Sequence, residues 1–379
     1  MTVAPHERDL LALAARLGVR AFGCAEPNPL VGCVIASPEG RILGMGHHTR
    51  FGAAHAEVEA LASCRRQGHD PRGATAYVTL EPCAHHGKTP PCADALIEAG
   101  VARVVCARRD PHEGAKGGAE RLRAAGVEVV FSGACEAATR LTDPFIKRLE
   151  TGLPWVVAKW AQTIDGRIAT RHGESQWISG AGSRRWVHLL RGRMDIVLTG
   201  VGTALADDPR LTARDVPVRR VARRVVVDPL LQTPLHSALV RSVDIAPLTI
   251  ACVEEHAHGA SADALRAAGV ELLTPPRAPA PGASPRLDLA WLLRALVETH
   301  DATTVLVEAG ARVVGSLIGA DLVDEALVFI GPRLLADERA LAPASGLVRE
   351  AMADAGLWDL DTVRRSGDDA MLRWRRRRA

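Results

Sequence analysis

The sequence predicts an α/β protein built as two consecutive domains, and three observations carry that reading. The chain has 379 residues, more than one ordinary hydrophobic core organises. Short apolar runs alternate with amphipathic segments through both halves, the pattern of strands and helices stacked in layers. Thr151-Gly152-Leu153-Pro154 then interrupts that alternation just before a new apolar strand at Trp155. The expected domains are therefore 1–150 and 151–379.

The elements follow in order. From Glu7 to Arg20, the residues Leu10, Leu11, Leu13, Ala14 and Leu17 share one helical face. Glu26-Pro27-Asn28-Pro29 is a turn into a strand at Leu30–Ile35, and Pro38-Glu39-Gly40 turns back into a strand at Arg41–Gly46. Ala54–Gln67 reads as a helix and Ala74–Leu80 as a strand. Cys92–Ala99 reads as a helix closed by Gly100, and Val101–Ala107 as a strand. A helix at Ala119–Ala125, a strand at Val127–Phe131 and one further helix to Leu149 complete the first domain. In the second, strands are expected near Val156–Ala161, Ile196–Thr199, Val225–Val227, Leu248–Cys252, Thr304–Val307 and Asp324–Ile330. Pro275–Pro285, rich in Pro, Ala and Gly, is expected to be an exposed loop.

Composition narrows the function classes. With 3% aromatic residues the cores must be filled by Val, Leu, Ile and Ala. A net charge of +3 predicts neither nucleic acid nor a membrane as partner. The closing Arg373-Trp374-Arg375-Arg376-Arg377-Arg378 run is expected to be a solvated, frayed terminus, because no wider basic face accompanies it. No apolar run reaches transmembrane length, and Met1–Leu10 offers no apolar signal core, so a cytoplasmic location is expected. The eight cysteines then read as buried thiols, some of them metal ligands, rather than disulfides.

Two of these cysteines, one histidine and one glutamate form a constellation with chemistry in it. His55-Ala56-Glu57 opens one expected helix, and Pro82-Cys83 with Cys92 opens another. Unpaired N–H groups at a helix start favour thiolate, the metal-binding form of cysteine. One imidazole and two thiolates leave a tetrahedral zinc one open position for water, the mark of a catalytic site. Glu57, two residues past the first ligand, is placed to move protons without binding the metal. H-x-E followed by P-C-x-x-C is the pattern of zinc deaminases, but here eight residues separate Cys83 from Cys92. His47, His48, His85 and His86 are read as loop residues facing substrate or solvent, since three ligands already suffice. For His85 and Lys88 both phosphate or substrate contact and plain surface exposure stand.

The long insertion makes the resemblance specific. Asn28-Pro29-Leu30-Val31-Gly32, His55-Ala56-Glu57 and Pro82-Cys83-x-His85-x-Gly87-Lys88-Thr89-Pro90-Pro91-Cys92 resemble the deaminase of riboflavin biosynthesis. The resemblance implies a cytidine-deaminase-like three-layer αβα fold. It also implies hydrolysis of the 2-amino group of 2,5-diamino-6-(ribosylamino)-pyrimidinone 5′-phosphate, with Asn28 in the substrate pocket. Asn28 also reads simply as an Asn-Pro turn residue. Two positions depart from the family: His112 stands for an asparagine in Asp110-Pro111-His112, and Thr142 for another.

The second half carries weaker signals one by one. A glycine-rich connection from Glu308-Ala309-Gly310 into Ala311-Arg312-Val313-Val314-Gly315-Ser316 is either an anion site or a plain tight turn, and it is neither GxGxxG nor a P-loop. Lys159-Trp160-Ala161-Gln162-Thr163-Ile164-Asp165-Gly166-Arg167, Gly173-Glu174-Ser175-Gln176-Trp177-Ile178 and Thr203-x-x-x-Asp207-Asp208-Pro209-x-Leu211-Thr212 occur in order before it. Together they resemble the riboflavin reductase domain, a relative of dihydrofolate reductase with an α/β fold. The whole chain then resembles the bifunctional deaminase–reductases of riboflavin synthesis.

That resemblance implies zinc and NADPH as cofactors. Ala161, Trp177, Thr203, Asp207 and the residues Gly310, Ala311, Arg312, Val313, Val314, Gly315 and Ser316 would hold NADPH. Ser175, Arg191, Leu211, Arg214 and Glu308 would hold the phosphoribosyl substrate, the two arginines pairing with its 5′-phosphate. Read alone, either arginine also suits a solvated surface, Trp177 suits a core, and Asp165-Gly166 suits a turn. Small-molecule substrates and a homo-oligomer are the expected partners. An RNA-editing protein on the same deaminase fold would need a basic, aromatic-lined groove, which one tyrosine and five phenylalanines do not supply.

Overall fold

The computed structural model describes residues 4–84, 90–112, 114, 117–275 and 286–377. It divides into two compact units, Met1–Gly152 and Leu153–Ala379. His85, His86 and Lys88, and all but the first residue of the Pro275–Pro285 segment, lie outside the described residues.

In the first unit the order is α1 (Pro5–Gly18), β1 (Gly32–Ala36), β2 (Ile42–His47), α2 (Ala56–Arg66), β3 (Thr75–Val78), α3 (Cys92–Glu98), β4 (Arg103–Cys106), α4 (Gly118–Ala124), β5 (Glu128–Phe131), α5 (Glu136–Arg140) and α6 (Asp143–Thr151). The sheet runs β2-β1-β3-β4-β5, with β1 antiparallel to both neighbours and β3, β4 and β5 parallel. Strand pleating sorts its side chains into two cores. Cys33, Ile35 and Val104 pack with Leu61 of α2 and Leu96 of α3. Val34, Ala36 and Val105 pack on the opposite face with Leu11 and Ala14 of α1. The result is the three-layer αβα arrangement.

One expected helix becomes two. Pro144 sits in the first turn of α6, where its missing N–H is harmless, but it cannot continue a helix arriving from α5. Thr142, between them, is fully buried and donates its hydroxyl to the Thr139 carbonyl.

The second unit contains β6 (Trp155–Gln162), α7 (Ala181–Arg191), β7 (Ile196–Gly200), α8 (Val201–Asp207), β8 (Arg223–Val227), β9 (Leu248–Ala251), α9 (Ala260–Ala267), β10 (Glu271–Leu273), α10 (Leu289–His300), β11 (Thr304–Val307), α11 (Ala311–Gly319), β12 (Glu325–Ile330), β13 (Trp358–Ser366) and β14 (Asp369–Arg376). Nine strands form one sheet in the order β10-β9-β8-β7-β11-β6-β12-β14-β13. Pairing is parallel from β10 to β12, and the last two strands are antiparallel. The parallel strands carry the near-continuous apolar runs that two-sided burial demands. Val156, Leu198, Val225 and Val307 on one face of the sheet pack with Leu292 and Leu296 of α10 and Val314 and Leu317 of α11.

Strands β10, β13 and β14 were not expected, and the terminal arginine run is corrected by them. Arg373–Arg376 is not frayed; it is the paired body of β14. Arg375 bonds Glu325 (3.0 Å), Arg376 bonds Asp321 (2.9 Å), and Arg377 pairs with Asp359. Arg375 and Arg376 also lie over the rings of Trp155 and Trp358. The charge is neutralised within the sheet edge.

Candidate active sites

In the first unit the metal ligands come from two helix starts and a loop: His55 caps α2, Cys92 opens α3, and Cys83, expected to open a helix too, lies in the loop before it. Gly46 of β2 lets α2 lie directly on the strand: a Cβ there would stand 2.4 Å from the Ala56 carbonyl oxygen and the Ala60 nitrogen. That close packing sets the N-cap of α2, which is His55. Cys92 is the first residue of α3, and its N–H donates to the Cys83 sulfur at 3.4 Å. His55 Nδ1 stands 3.6 Å from Cys83 Sγ and 3.2 Å from Cys92 Sγ. All three ligand atoms lie within 4.8 Å of one another. A tetrahedral zinc with bonds of about 2.0–2.3 Å spaces its ligands by about 3.5 Å, so the donor set fits in both chemistry and size.

Charge within the cluster points the same way. Bonding from Cys92 and His55 holds the Cys83 thiol down at about 4, whereas Cys92, donating to that sulfur and buried, is pushed up. Bonding to Cys83 raises the His55 imidazole. One proton shared between two sulfurs is what a cation displaces. Glu57, in the first turn of α2 and 3% exposed, is raised by burial to about 7. A carboxyl held near neutrality beside such a cluster can both take and return a proton.

His48, read from sequence as a loop histidine, is buried. Its Nδ1 donates to the Ala54 carbonyl (3.0 Å), so its Nε2 lone pair accepts from Asn28 Nδ2 (3.1 Å). The Asn28 amide is thereby oriented with its oxygen left for another partner. The His48 and His55 rings meet edge to face at 5.4 Å. Glu81, beside the Pro82-Cys83 motif, accepts from the N–H groups of Asp110 and Ala119 and fixes both ends of the segment that carries His112. His112 itself is exposed, its N–H bonded to the Asp110 carboxylate.

In the second unit the chemistry gathers at the carboxyl ends of β6, β7 and β11. Glu308, just past β11, takes a bidentate pair from Arg191 at the end of α7: Nε to Oε1 at 2.6 Å and Nη2 to Oε2 at 2.9 Å. Lys159 of β6 stands 3.7 Å from Oε2. Burial alone would raise the Glu308 carboxyl, but Arg191 and Lys159 hold it down at about 2. Lys159, buried, is itself lowered. Arg191 also donates from Nη1 to the Thr212 carbonyl at 3.3 Å, so its guanidinium is largely engaged. Lys159 is a site residue that sequence reasoning misses; its place two residues before Ala161, on the same side of β6, is the available signal.

The remaining expected residues are less tightly gathered. Only Glu308–Gly310 connects β11 to α11, because Ala311–Ser316 is already helix. Val314 donates its N–H to Gly310 and packs in the core, while Ala311, Arg312 and Val313 hold the first-turn N–H groups. Gly315 is needed for packing, since a Cβ there would meet the Ser345 carbonyl at 1.9 Å. Thr203 Oγ1 lies 3.5 Å from where a Gly310 Cβ would stand, which brings the starts of α8 and α11 together. Asp207 ends α8 and Arg214 is exposed, with its N–H on His188 Nδ1 at 3.2 Å. Leu211 is buried and Ser175 half-buried. Trp177 is 59% exposed, with the Arg184 guanidinium over its ring. Asp165 accepts from Thr163, Leu335 and Ala336 and is a turn residue.

Residues 154–371 match the family model described as RibD C-terminal domain, and residues 5–108 match the cytidine and deoxycytidylate deaminase zinc-binding region. The riboflavin biosynthesis protein RibD of Escherichia coli K12 is 39% identical over 364 residues, 96% of this chain and 97% of that one. The corresponding Aquifex aeolicus protein is 38% identical over 332 residues, 87% of this chain and 88% of its own. Among solved structures, a Thermotoga maritima diaminohydroxyphosphoribosylaminopyrimidine deaminase/5-amino-6-(5-phosphoribosylamino)uracil reductase superposes with a TM-score of 0.81 at 32% identity, covering 98% of this chain and 99% of that one. Acinetobacter baumannii RibD gives 0.81 at 33% identity, with the same coverage.

Proposed function

The chain belongs to the RibD family of riboflavin biosynthesis proteins and joins a deaminase to a reductase, and we propose that the two residue clusters described above carry the two reactions. The observation that carries the reading is the convergence of His55, Cys83 and Cys92 beside the buried Glu57.

In the deaminase, His55, Cys83 and Cys92 hold one zinc ion. Zinc there supplies Lewis acidity and a water acidic enough to lose its proton near neutral pH. Glu57 would take one proton from the attacking water and give it to the ring nitrogen, then take the second from the hydroxyl so formed and give it to the departing amine. Asn28, its amide set by His48, binds the pyrimidine of 2,5-diamino-6-(ribosylamino)-pyrimidinone 5′-phosphate. Water and that substrate become ammonia and 5-amino-6-(5-phosphoribosylamino)uracil.

In the reductase, NADPH would supply a hydride for C1′ of the ring-opened ribose, with a proton from solvent going to the attached nitrogen, leaving NADP+ and a ribityl chain. The first-turn N–H groups of Ala311, Arg312 and Val313 offer a site for its phosphates, with Gly310 and Thr203 alongside. Ala161, Trp177 and Asp207, with Ser316 further along α11, complete the cofactor set, while Val314 and Gly315, expected in it from sequence, serve packing. Glu308 accepts from the sugar hydroxyls, held ionised by Arg191 and Lys159. Because Arg191 is committed to Glu308, Arg214 is the guanidinium left to fork the 5′-phosphate, with Ser175 and Leu211 beside it.

We place the enzyme in the cytoplasm as a homo-oligomer acting on small molecules, with neither nucleic acid nor membrane as partner. Among the described residues no helix is long and apolar enough to cross a membrane. The test is a coupled assay with zinc and the diaminopyrimidinone ribosyl phosphate. Ammonia release followed by NADPH oxidation is expected. Ammonia alone would leave only the deaminase reading standing.

A further inference from the structure

Arg224 is a fully buried arginine in β8, followed by Val225, Val226 and Val227. A valine or methionine would suit such a strand at lower desolvation cost. The guanidinium finds no carboxylate among the described residues. Instead Nη1 donates to the Arg210 carbonyl (3.1 Å) and the Ser242 hydroxyl (2.7 Å), and Nη2 to the carbonyls of Ser242 (3.0 Å) and Ala246. Burial lowers its pKa to about 10, which leaves it charged at neutral pH. A buried cation held by carbonyl and hydroxyl dipoles, with the Asp244 charge acting only at longer range, requires those acceptors to stay where they are.

One of those carbonyls belongs to a strained loop. Between α8 and β8, Asp208, Leu211 and Asp215 have φ of +38°, +54° and +57°, the left-handed region that side-chain-bearing residues enter only at a cost. Such conformations persist where the surroundings over-determine them. The ends of the loop are tied by the Ala238 N–H on the Asp208 carboxylate (2.6 Å) and by Arg185 on the Asp215 carbonyl (2.9 Å), and its middle by two further arginines. Arg224 bonds the carbonyl one residue before Leu211, and Arg191 bonds the carbonyl of Thr212, one residue after it. Arg214 follows directly, its N–H on His188 of α7.

We infer that Arg224 is a positioning residue of the reductase: it clamps the Asp208–Asp215 loop in the conformation that presents Leu211 and Arg214 to the ribosyl phosphate. This rests on the assignment of Leu211 and Arg214 to the substrate made above. Arg224 itself is buried, and its acceptors belong to Arg210, Ser242 and Ala246, none of them an assigned ligand residue.

The experiment is a double-mutant cycle in the full-length, zinc-loaded enzyme with 5-amino-6-(5-phosphoribosylamino)uracil and NADPH. Arg224→Lys keeps the charge but cannot reach all four acceptors. It is expected to raise KM for the uracil substrate about tenfold, the scale on which small misplacements act. Its kcat, its KM for NADPH and ammonia release by the same chain should be unchanged. Added to Arg214→Ala, it should cost much less than on its own, because one of the two residues it acts through is already removed. Unchanged substrate KM in Arg224→Lys, or a full additional loss in the double variant, would overturn the inference. An Arg214→Ala variant that binds substrate normally would instead remove the assignment beneath it. Should Arg224→Lys lose the reductase fold, Ser242→Ala, which deletes one acceptor and leaves the fork, decides: raised substrate KM supports the clamp and unchanged KM refutes it.

Discussion

Arg191 and Glu308, 117 residues apart in sequence, meet in a bidentate ion pair with both side chains nearly buried. Removing Arg191 leaves Glu308 with Lys159 alone, 3.7 Å away, and so exacts part of the about 3–5 kcal/mol that breaking a buried pair costs. Arg191→Met is therefore expected to lower the melting transition of the reductase unit and abolish NADPH oxidation, while ammonia release persists. Equal loss of both activities would show that the pair does not act locally.

The same carboxylate sets a pH dependence. Glu308 is held at about 2, below its ordinary 4.5, chiefly by Arg191 and Lys159 acting against burial. A depressed carboxyl contributes stability above its unfolded value and loses it as pH falls towards its folded one. Between pH 4.5 and 2 the reductase unit should lose about 3 kcal/mol from this group. Urea unfolding across that window measures it. Glu308→Gln should start lower and show a flatter pH dependence.

How much of this was legible in sequence depended on whether the partners were local. His55 with Glu57 declares itself because both sit at the start of α2, where short spacing fixes the geometry, and Cys83 with Cys92 through the prolines that precede each. The tie between His48 and Asn28 was not legible, since a turn and two strands separate them. The arginines closing the chain were misread because their carboxylates, Glu325, Asp321 and Asp359, are scattered along the sequence and converge only through strand pairing. The connection after Glu308 was read as a long glycine-rich turn because Gly310 and Gly315 look alike on paper. One caps α11, and the other admits the Ser345 carbonyl.

Gly315 therefore answers to packing. Gly315→Ala places a methyl group 1.9 Å from the Ser345 oxygen, a contact with backbone that cannot swing away. The expected cost is about 1–3 kcal/mol of reductase stability, the range for overpacking a core. NADPH affinity measured well below the melting transition should change little. A large loss of affinity without loss of stability would return Gly315 to the cofactor site.

Glu57 offers the sharpest separation of binding from chemistry. Glu57→Gln preserves the shape of the first turn of α2 but removes the group that ferries protons. Zinc content by elemental analysis should stay at one ion per chain, because Glu57 is not among the three converging ligands. Ammonia release should fall by about 10²–10⁴-fold, the usual worth of a positioned acid–base group. Reduction of directly supplied 5-amino-6-(5-phosphoribosylamino)uracil should be unaffected. A zinc-free variant would mean that Glu57 helps to hold the metal, and its assignment as proton carrier would fail.

His48 and Asn28 make the last case. Because the His48 Nδ1 proton is committed to Ala54, only its Nε2 lone pair faces Asn28, and that fixes which end of the amide looks outward. His48→Phe fills the same space and removes the acceptor, so the Asn28 amide is free to flip. Deaminase KM should rise about tenfold, the worth of one well-placed hydrogen bond to substrate, with a smaller change in kcat. Asn28→Ala should raise KM at least as much. In the double variant the two losses should not add, since residues acting through one contact are coupled. Additive losses would mean that His48 serves the site in its own right, independently of Asn28.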